Sequence, residues 1–177
     1  MKRPLLIALL SSAMALPAAA ALKSGDEAPD FSAKASLAGH EFEFSLAAAL
    51  RKGPVVVYFY PRDDTPGCTK EACGFNDALA SFAKLGTEVI GISKDSEKSH
   101  GRFREKYGLK FHLGSDVDTK VLQAYGAWTE KSLYGRKYMG IERSTFLVDK
   151  AGVIRAVWRG VKVPGHVDEV LAAVKAL

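Results

Sequence analysis

Residues 55–60 read VVVYFY, an unbroken run of β-branched and aromatic side chains. A strand of this composition has no polar face to offer water. It must be buried on both sides, as in the interior of a parallel sheet covered by helices. The sequence that follows supports this. After PRDDTPG, the residues Cys68, Ala72, Phe75, Leu79 and Phe82 recur every three or four positions. That spacing predicts an amphipathic helix opening at Thr65-Pro66 and ending near Gly86. Residues 87–93 (TEVIGIS) predict the next strand and 96–107 a basic amphipathic helix.

Further on, 117–125 reads as a shorter helix and 166–176 as a closing one. Residues 145–148 and 153–158 read as two strands joined by the turn Asp149-Lys150-Ala151-Gly152. Upstream, 37–44 predicts a hairpin turning at Gly39, with Phe42 and Phe44 alternating. Ser45 caps a short helix through Leu50, which Lys52-Gly53-Pro54 ends. The order is β-α-β-α-(α)-β-β-α behind an N-terminal hairpin. This predicts an α/β fold with a mixed central sheet flanked by helices. A terminal antiparallel hairpin followed by a helix is the thioredoxin-like arrangement, here with an N-terminal β-hairpin extension. Fold alone says nothing about chemistry.

The first residues stand outside this pattern. Lys2 and Arg3 precede the uncharged run LLIALLSSAMAL (5–16), then Pro17 and the small residues 18–21. This is the three-part plan of a secretory signal peptide, and the run is too short to span a bilayer. The expectation is a cleavable signal over 1–21, a domain over 22–177, and a periplasmic or otherwise exported protein with no membrane attachment after cleavage. Without Lys2 and Arg3, 23 basic residues face 20 acidic ones, a net charge of +3 in place of +5. No basic run or nucleic-acid-reading motif accompanies that mild excess, which excludes a nucleic-acid partner. Two cysteines are too few for a disulfide scaffold or a four-cysteine zinc site. In an oxidising compartment, two cysteines read first as one structural disulfide.

Their positions argue otherwise. Thr65 is placed as N-cap, Pro66 as the first helical residue and Cys68 as the third. Cys68 would meet the cap hydroxyl as a glutamate does in a capping box. The positive end of the helix and its free N–H groups favour the thiolate, which is the nucleophilic form. Asp63, Asp64 and Glu71 oppose it, so a cation from elsewhere in the chain is needed. Cys73 lies five residues on. In an intact helix that means about 140° of rotation and 7.5 Å of rise, or roughly 8.7 Å between Cα atoms. A disulfide needs under about 7 Å. The two cysteines can bond only if the first turns of the helix open, which suits a bond formed on oxidation.

Pro61-x3-Thr65-x2-Cys68 resembles the active-site motif of the peroxiredoxins. DDTPGCTKEACGFND and YGAWTEKSLYGRKYMGIERSTFLVD are similar to the bacterioferritin comigratory protein branch, the peroxiredoxin Q type. The resemblance runs from Gly25 to Leu177. It implies a thiol peroxidase for hydrogen peroxide and alkyl hydroperoxides that needs no metal, haem or flavin, has a thioredoxin-like electron donor and works as a monomer. In that reading Cys68 is the peroxidatic cysteine and becomes a sulfenic acid. Cys73 is the resolving cysteine and closes an intramolecular Cys68–Cys73 disulfide. Arg143 falls where the family places its active-site arginine. Thr65 hydrogen-bonds the sulfur and the peroxide, and Pro61 shields the sulfur from water. A secretion leader is less usual for this branch and leaves the electron donor open.

The remaining candidates are weaker. His40, His100, His112 and His166 lack metal-ligand spacing and read as surface or turn residues. Arg62, Asp63 and Asp64 read as a solvated rim. Tyr58, Phe59 and Tyr60 read as core or pocket wall. Trp128 serves either the approach to Cys68 or packing. The competing activity, an exported thiol-disulfide oxidoreductase, requires C-x-x-C where this chain has C-x4-C.

Overall fold

The computed structural model describes residues 21–37 and 40–177. The leader, apart from residue 21, and the turn expected at Gly39 lie outside these residues. The strands are β1 (Ser32–Leu37), β2 (His40–Ser45), β3 (Val55–Phe59), β4 (Glu88–Ser93), β5 (His112–Ser115), β6 (Trp128–Leu133), β7 (Arg136–Ile141), β8 (Ser144–Val148) and β9 (Ile154–Arg159). The helices are α1 (Leu46–Leu50), α2 (Pro66–Lys84), α3 (Glu97–Tyr107), α4 (Lys120–Ala124) and α5 (His166–Lys175). The main sheet has the order β2-β1-β5-β4-β3-β8-β9. β3, β4 and β5 run parallel, and the other neighbours are antiparallel. This is the mixed α/β, thioredoxin-like arrangement expected.

β3 is buried along its whole length and sorts its side chains between two cores. Val55, Val57 and Phe59 face the core that includes α1 and α4. Val56, Tyr58 and then Tyr60 face the core beneath α2, α3 and α5. Ser45 caps α1 as expected, its hydroxyl accepting from the Ala48 N–H at 3.2 Å. α3 ends at Gly108, whose left-handed backbone (φ 64°) closes the helix through a bond to the Arg104 carbonyl.

Three strands escape the sequence reading. β5 is four residues of HLGS without a β-branched side chain, and it exists because β1 and β4 flank it. β6 and β7 form a separate two-stranded sheet with many exposed polar residues. Their turn is Tyr134-Gly135, both left-handed at φ 49° and 75°, as a two-residue hairpin requires. Tyrosine is an unusual residue for that conformation, so the turn carried no signal.

Gly91 on β4 shows how tightly the α2 side is filled. A Cβ there would lie 2.6 Å from the Tyr58 ring and hydroxyl. Tyr58 is fully buried and stacks on Phe75 at 4.7 Å, so it cannot swing away. Gly91→Ala is expected to destabilise the protein by about 1–3 kcal/mol through overpacking. Denaturant titration measures this, and an unchanged midpoint would contradict the packing described.

Candidate active site

The carboxyl end of β3 hands the chain to a loop, residues 60–65, and then to α2. Antiparallel pairing sets Phe59 opposite Ser144, so the start of β8 lies beside the end of β3. Arg143, one residue before β8, thereby reaches the first turn of α2. Its Nη2 donates to Cys68 Sγ at 3.3 Å, and its Nη1 donates to Glu71 Oε2. This is the cation the local sequence lacked. Cys68 is only 2% exposed. Gly67 makes room for the contact, since a Cβ there would sit 3.3 Å from Nη2.

Glu71 is fully buried, and its Oε1 has no hydrogen-bond partner among the described residues. Burial pushes its carboxyl up to about 7 against the opposing pull of Arg143. Burial disfavours the Arg143 cation in turn, but Glu71 and the Cys68 sulfur outweigh it and hold the guanidinium charged. The sequence counted Glu71 as a charge against the thiolate. The structure shows Arg143 contacting both groups, so the guanidinium meets the carboxyl directly.

Thr65 is the N-cap with extended backbone, but no side-chain cap bond forms. Its hydroxyl donates to the Arg62 carbonyl at 3.0 Å. The capping-box contact expected between Thr65 and Cys68 is therefore corrected, because the hydroxyl proton is turned back into the loop. Pro61 is exposed where the loop leaves β3. Cys73 is partly buried on the same unbroken helix, and both thiols are free. Burial, assisted by Asp77, pushes the Cys73 thiol up. Trp128 packs against the core on the α1 and α4 side, with Lys94 Nζ 4.8 Å from its ring centroid. Cys68 belongs to the other core, so packing is the role the structure gives Trp128.

Two histidines and one aspartate correct the surface reading. His166 is buried, with Nε2 2.7 Å from Thr145 Oγ1 on β8. Burial and the nearby Arg143 charge lower it to about 4, so it is neutral near pH 7. His100 and Asp63 are buried against each other, Nδ1 lying 2.9 Å from Oδ2. Burial works against ionisation of Asp63. Hydrogen bonds and charge from His100, with the Tyr60 and Ser99 hydroxyls, outweigh it and bring the carboxyl below its ordinary range. In sequence these residues were isolated polar letters in an exposed-looking loop and a basic helix. Asp64 does lie at the surface, as the rim reading held, although Lys106 and Tyr107 engage it. Among the described residues, no group of three or more His, Cys, Asp or Glu side chains could hold a metal ion.

A cysteine buried at the head of a helix and contacted by an arginine, on a thioredoxin-like sheet, defines the class of thiol-dependent peroxidases. Residues 24–157 match the model of the AhpC/TSA family. The chain is 45% identical over 154 residues to peroxiredoxin Bcp of Bacillus subtilis, covering 87% of this chain and 96% of the relative. It is 43% identical over 150 residues to peroxiredoxin Bcp of Escherichia coli, covering 85% and 94%. Among solved structures, peroxiredoxin Q of Xanthomonas campestris superposes with a TM-score of 0.76 at 44% identity, covering 82% and 90%. A cysteine-to-serine mutant of Xylella fastidiosa PrxQ gives 0.80 at 37% identity, covering 88% and 96%. The chain belongs to the AhpC/TSA family, in its peroxiredoxin Bcp or Q type, and is a thiol-dependent peroxidase.

The Glu71 carboxyl has a consequence for stability. Its folded value is raised from the ordinary 4.5 to about 7, so the folded state binds this proton more tightly than the unfolded chain. The resulting stabilisation is fully present below pH 4.5 and is lost as pH rises through about 7. It amounts to about 3 kcal/mol. Glu71→Gln, which cannot ionise, is expected to remove this fall. Unfolding free energies of both proteins across the interval give the difference curve, and a flat difference would contradict it.

Proposed function

We propose that this chain reduces hydrogen peroxide and alkyl hydroperoxides through Cys68, with Cys73 as resolving thiol and a thioredoxin-like dithiol as electron donor. The observation that carries this reading is the Arg143 Nη2 contact to the buried Cys68 sulfur at 3.3 Å. A fixed cation there favours the thiolate and offers N–H donors to the peroxide oxygens as charge develops. Arginine suits this because its planar fork presents several donors at once. The thiolate attacks the terminal peroxide oxygen and an S–O bond forms. The O–O bond breaks, and the departing alkoxide or hydroxide takes a proton to leave as alcohol or water. Cys68 is then a sulfenic acid.

Cys73 next attacks the Cys68 sulfur as a thiolate. An S–S bond forms and hydroxide leaves as water. On the intact α2 the two Cα atoms stand roughly 8.7 Å apart by helix geometry, so this step requires the first turns to unwind. Exchange with an external dithiol returns both thiols and oxidises the donor. In this scheme the Thr65 hydroxyl turns from Arg62 towards the sulfur when peroxide binds, and Pro61 keeps water from it. The Xanthomonas campestris bacterioferritin comigratory protein, 44% identical over the matched region, is described by its alkyl peroxide reduction activity, which supports the substrate class. One chain supplies the whole set, which supports a monomer as the working unit. The leader pattern at 1–21 supports action in the periplasm or another exported location, with an exported donor.

Intact-mass analysis after one equivalent of hydrogen peroxide tests the cycle. The native chain is expected to lose two hydrogens, Cys73→Ser to gain one oxygen, and Cys68→Ser to stay unchanged and inactive. Peroxide consumption by Cys68→Ser, or loss of the first step in Cys73→Ser, would overturn the assignment. Arg143→Ala is expected to slow peroxide attack by about 10²–10³-fold in stopped-flow assays. An unchanged rate would remove Arg143 from the site.

A further inference from the structure

The loop between β3 and α2 is held from one side by α3, through a contact with its own proton inventory. His100 Nδ1 lies 2.9 and 3.1 Å from the carboxylate oxygens of Asp63, and Nε2 lies 3.2 Å from the Gly114 carbonyl on β5. A carbonyl can only accept, so Nε2 carries a proton. A neutral imidazole has one N–H, and the Tyr60 hydroxyl, 3.3 Å from Nδ1, gives its proton to Asp63 at the shorter 2.6 Å, so the contact between Nδ1 and the carboxyl holds an additional proton. Tyr60 Oη at 2.6 Å and Ser99 Oγ at 2.7 Å donate to the same carboxyl, which favours its ionised form and puts that proton on Nδ1.

The grip extends along the chain. The Asp63 N–H donates to Asp95 Oδ2 at 2.8 Å, and Ser93 Oγ donates to that same oxygen. Asp64 has a left-handed backbone at φ 55°. Its carboxylate accepts from Lys106 Nζ at 2.8 Å and Tyr107 Oη at 2.6 Å, at the end of α3. Residues 63 and 64 are therefore tied to β4 and α3. The first turn of α2 begins at Pro66 and is tied to the β8 side through Arg143.

We propose that His100, as an imidazolium paired with Asp63, is a positioning residue for the peroxidase. It fixes residues 63 and 64 as the boundary at which α2 stops unwinding, so that Cys68 returns to Arg143 after each turnover. The inference rests on the Cys68–Cys73 cycle proposed above. The sulfur must leave Arg143 to meet Cys73 and must come back within hydrogen-bond reach for the next peroxide. A misplacement of about 1 Å in such a site costs on the order of 10²-fold in rate. A fixed point two residues before the helix limits how far the chain can stray.

Nuclear magnetic resonance on the full chain tests this directly. His100 is expected to show two slowly exchanging ring N–H protons in both the reduced and the bridged protein. Amides of residues 69–72, beginning with the Thr69 N–H bonded to the Thr65 carbonyl, are expected to lose exchange protection on oxidation. A single ring N–H in the reduced protein, or loss of either one on oxidation, overturns the proposal. Rates give the second test. After one round of peroxide oxidation and re-reduction, His100→Leu and Asp63→Asn are expected to slow the next peroxide attack by about 10- to 100-fold. Conversion of sulfenic acid to disulfide is expected not to slow. Attack within about twofold of the parent in a folded variant, or equal slowing of both steps, counts against it. If the variants do not fold, the ring protons decide. If the native chain forms no 68–73 bond with peroxide, the cycle fails and this inference with it, a result the mass analysis gives before any His100 variant is made.

Discussion

Everything at the site depends on where the Arg143 guanidinium is held. It sits largely out of water, with the Cys68 sulfur on one amino group and the Glu71 carboxyl on the other. A buried cation is costly unless it is paired, and a buried carboxylate is costly for the same reason. Each group makes the other tolerable. The β3–β8 register brings them together, because it lays the first residues of β8 against the last residues of β3.

The proposed cycle sets two opposing demands on α2. Attack needs the first turn wound, with Cys68 buried against Arg143. Disulfide formation needs it open, because five residues of helix keep the cysteines too far apart. The structure surrounds this turn unevenly. Upstream, Asp63 and Asp64 are anchored by Ser99, His100, Lys106 and Tyr107. Within the turn, Thr65 makes no side-chain cap bond and Gly67 contributes no side chain. A helix end without its cap bond forgoes about 1 kcal/mol of stability. In the proposed cycle, a segment that opens at each turnover gains from that economy.

Much of the local geometry of the candidate site was legible before any coordinates. The Thr65-Pro66 start, the place of Cys68 in the first turn and the spacing to Cys73 follow from helix rules that act within a few residues. VVVYFY marked the interior strand because no other environment suits it. The losses have physical reasons as well. HLGS at 112–115 carries no strand preference and is a strand only because two neighbours pair with it. Tyr134-Gly135 turns a hairpin although tyrosine rarely takes a left-handed backbone. His100 and His166 read as surface residues because a polar side chain is buried only when partners wait for it. Those partners, Asp63 and Thr145, stand 37 and 21 residues away.

The sequence by itself determined the place of Cys68 at a helix terminus and the impossibility of bonding Cys73 without opening that helix. These are local matters, governed by rotation and rise per residue and by the unpaired N–H groups of a first turn. It also showed that a cation was missing, and a resemblance pointed to Arg143. Only the tertiary structure decided that Arg143 reaches the sulfur, that Glu71 meets it from the other side, and that the Thr65 hydroxyl points away. Those contacts join residues up to 75 positions apart. Their geometry is set by strand register and by the partnering that buried charge demands, neither of which is written in any short stretch of the chain.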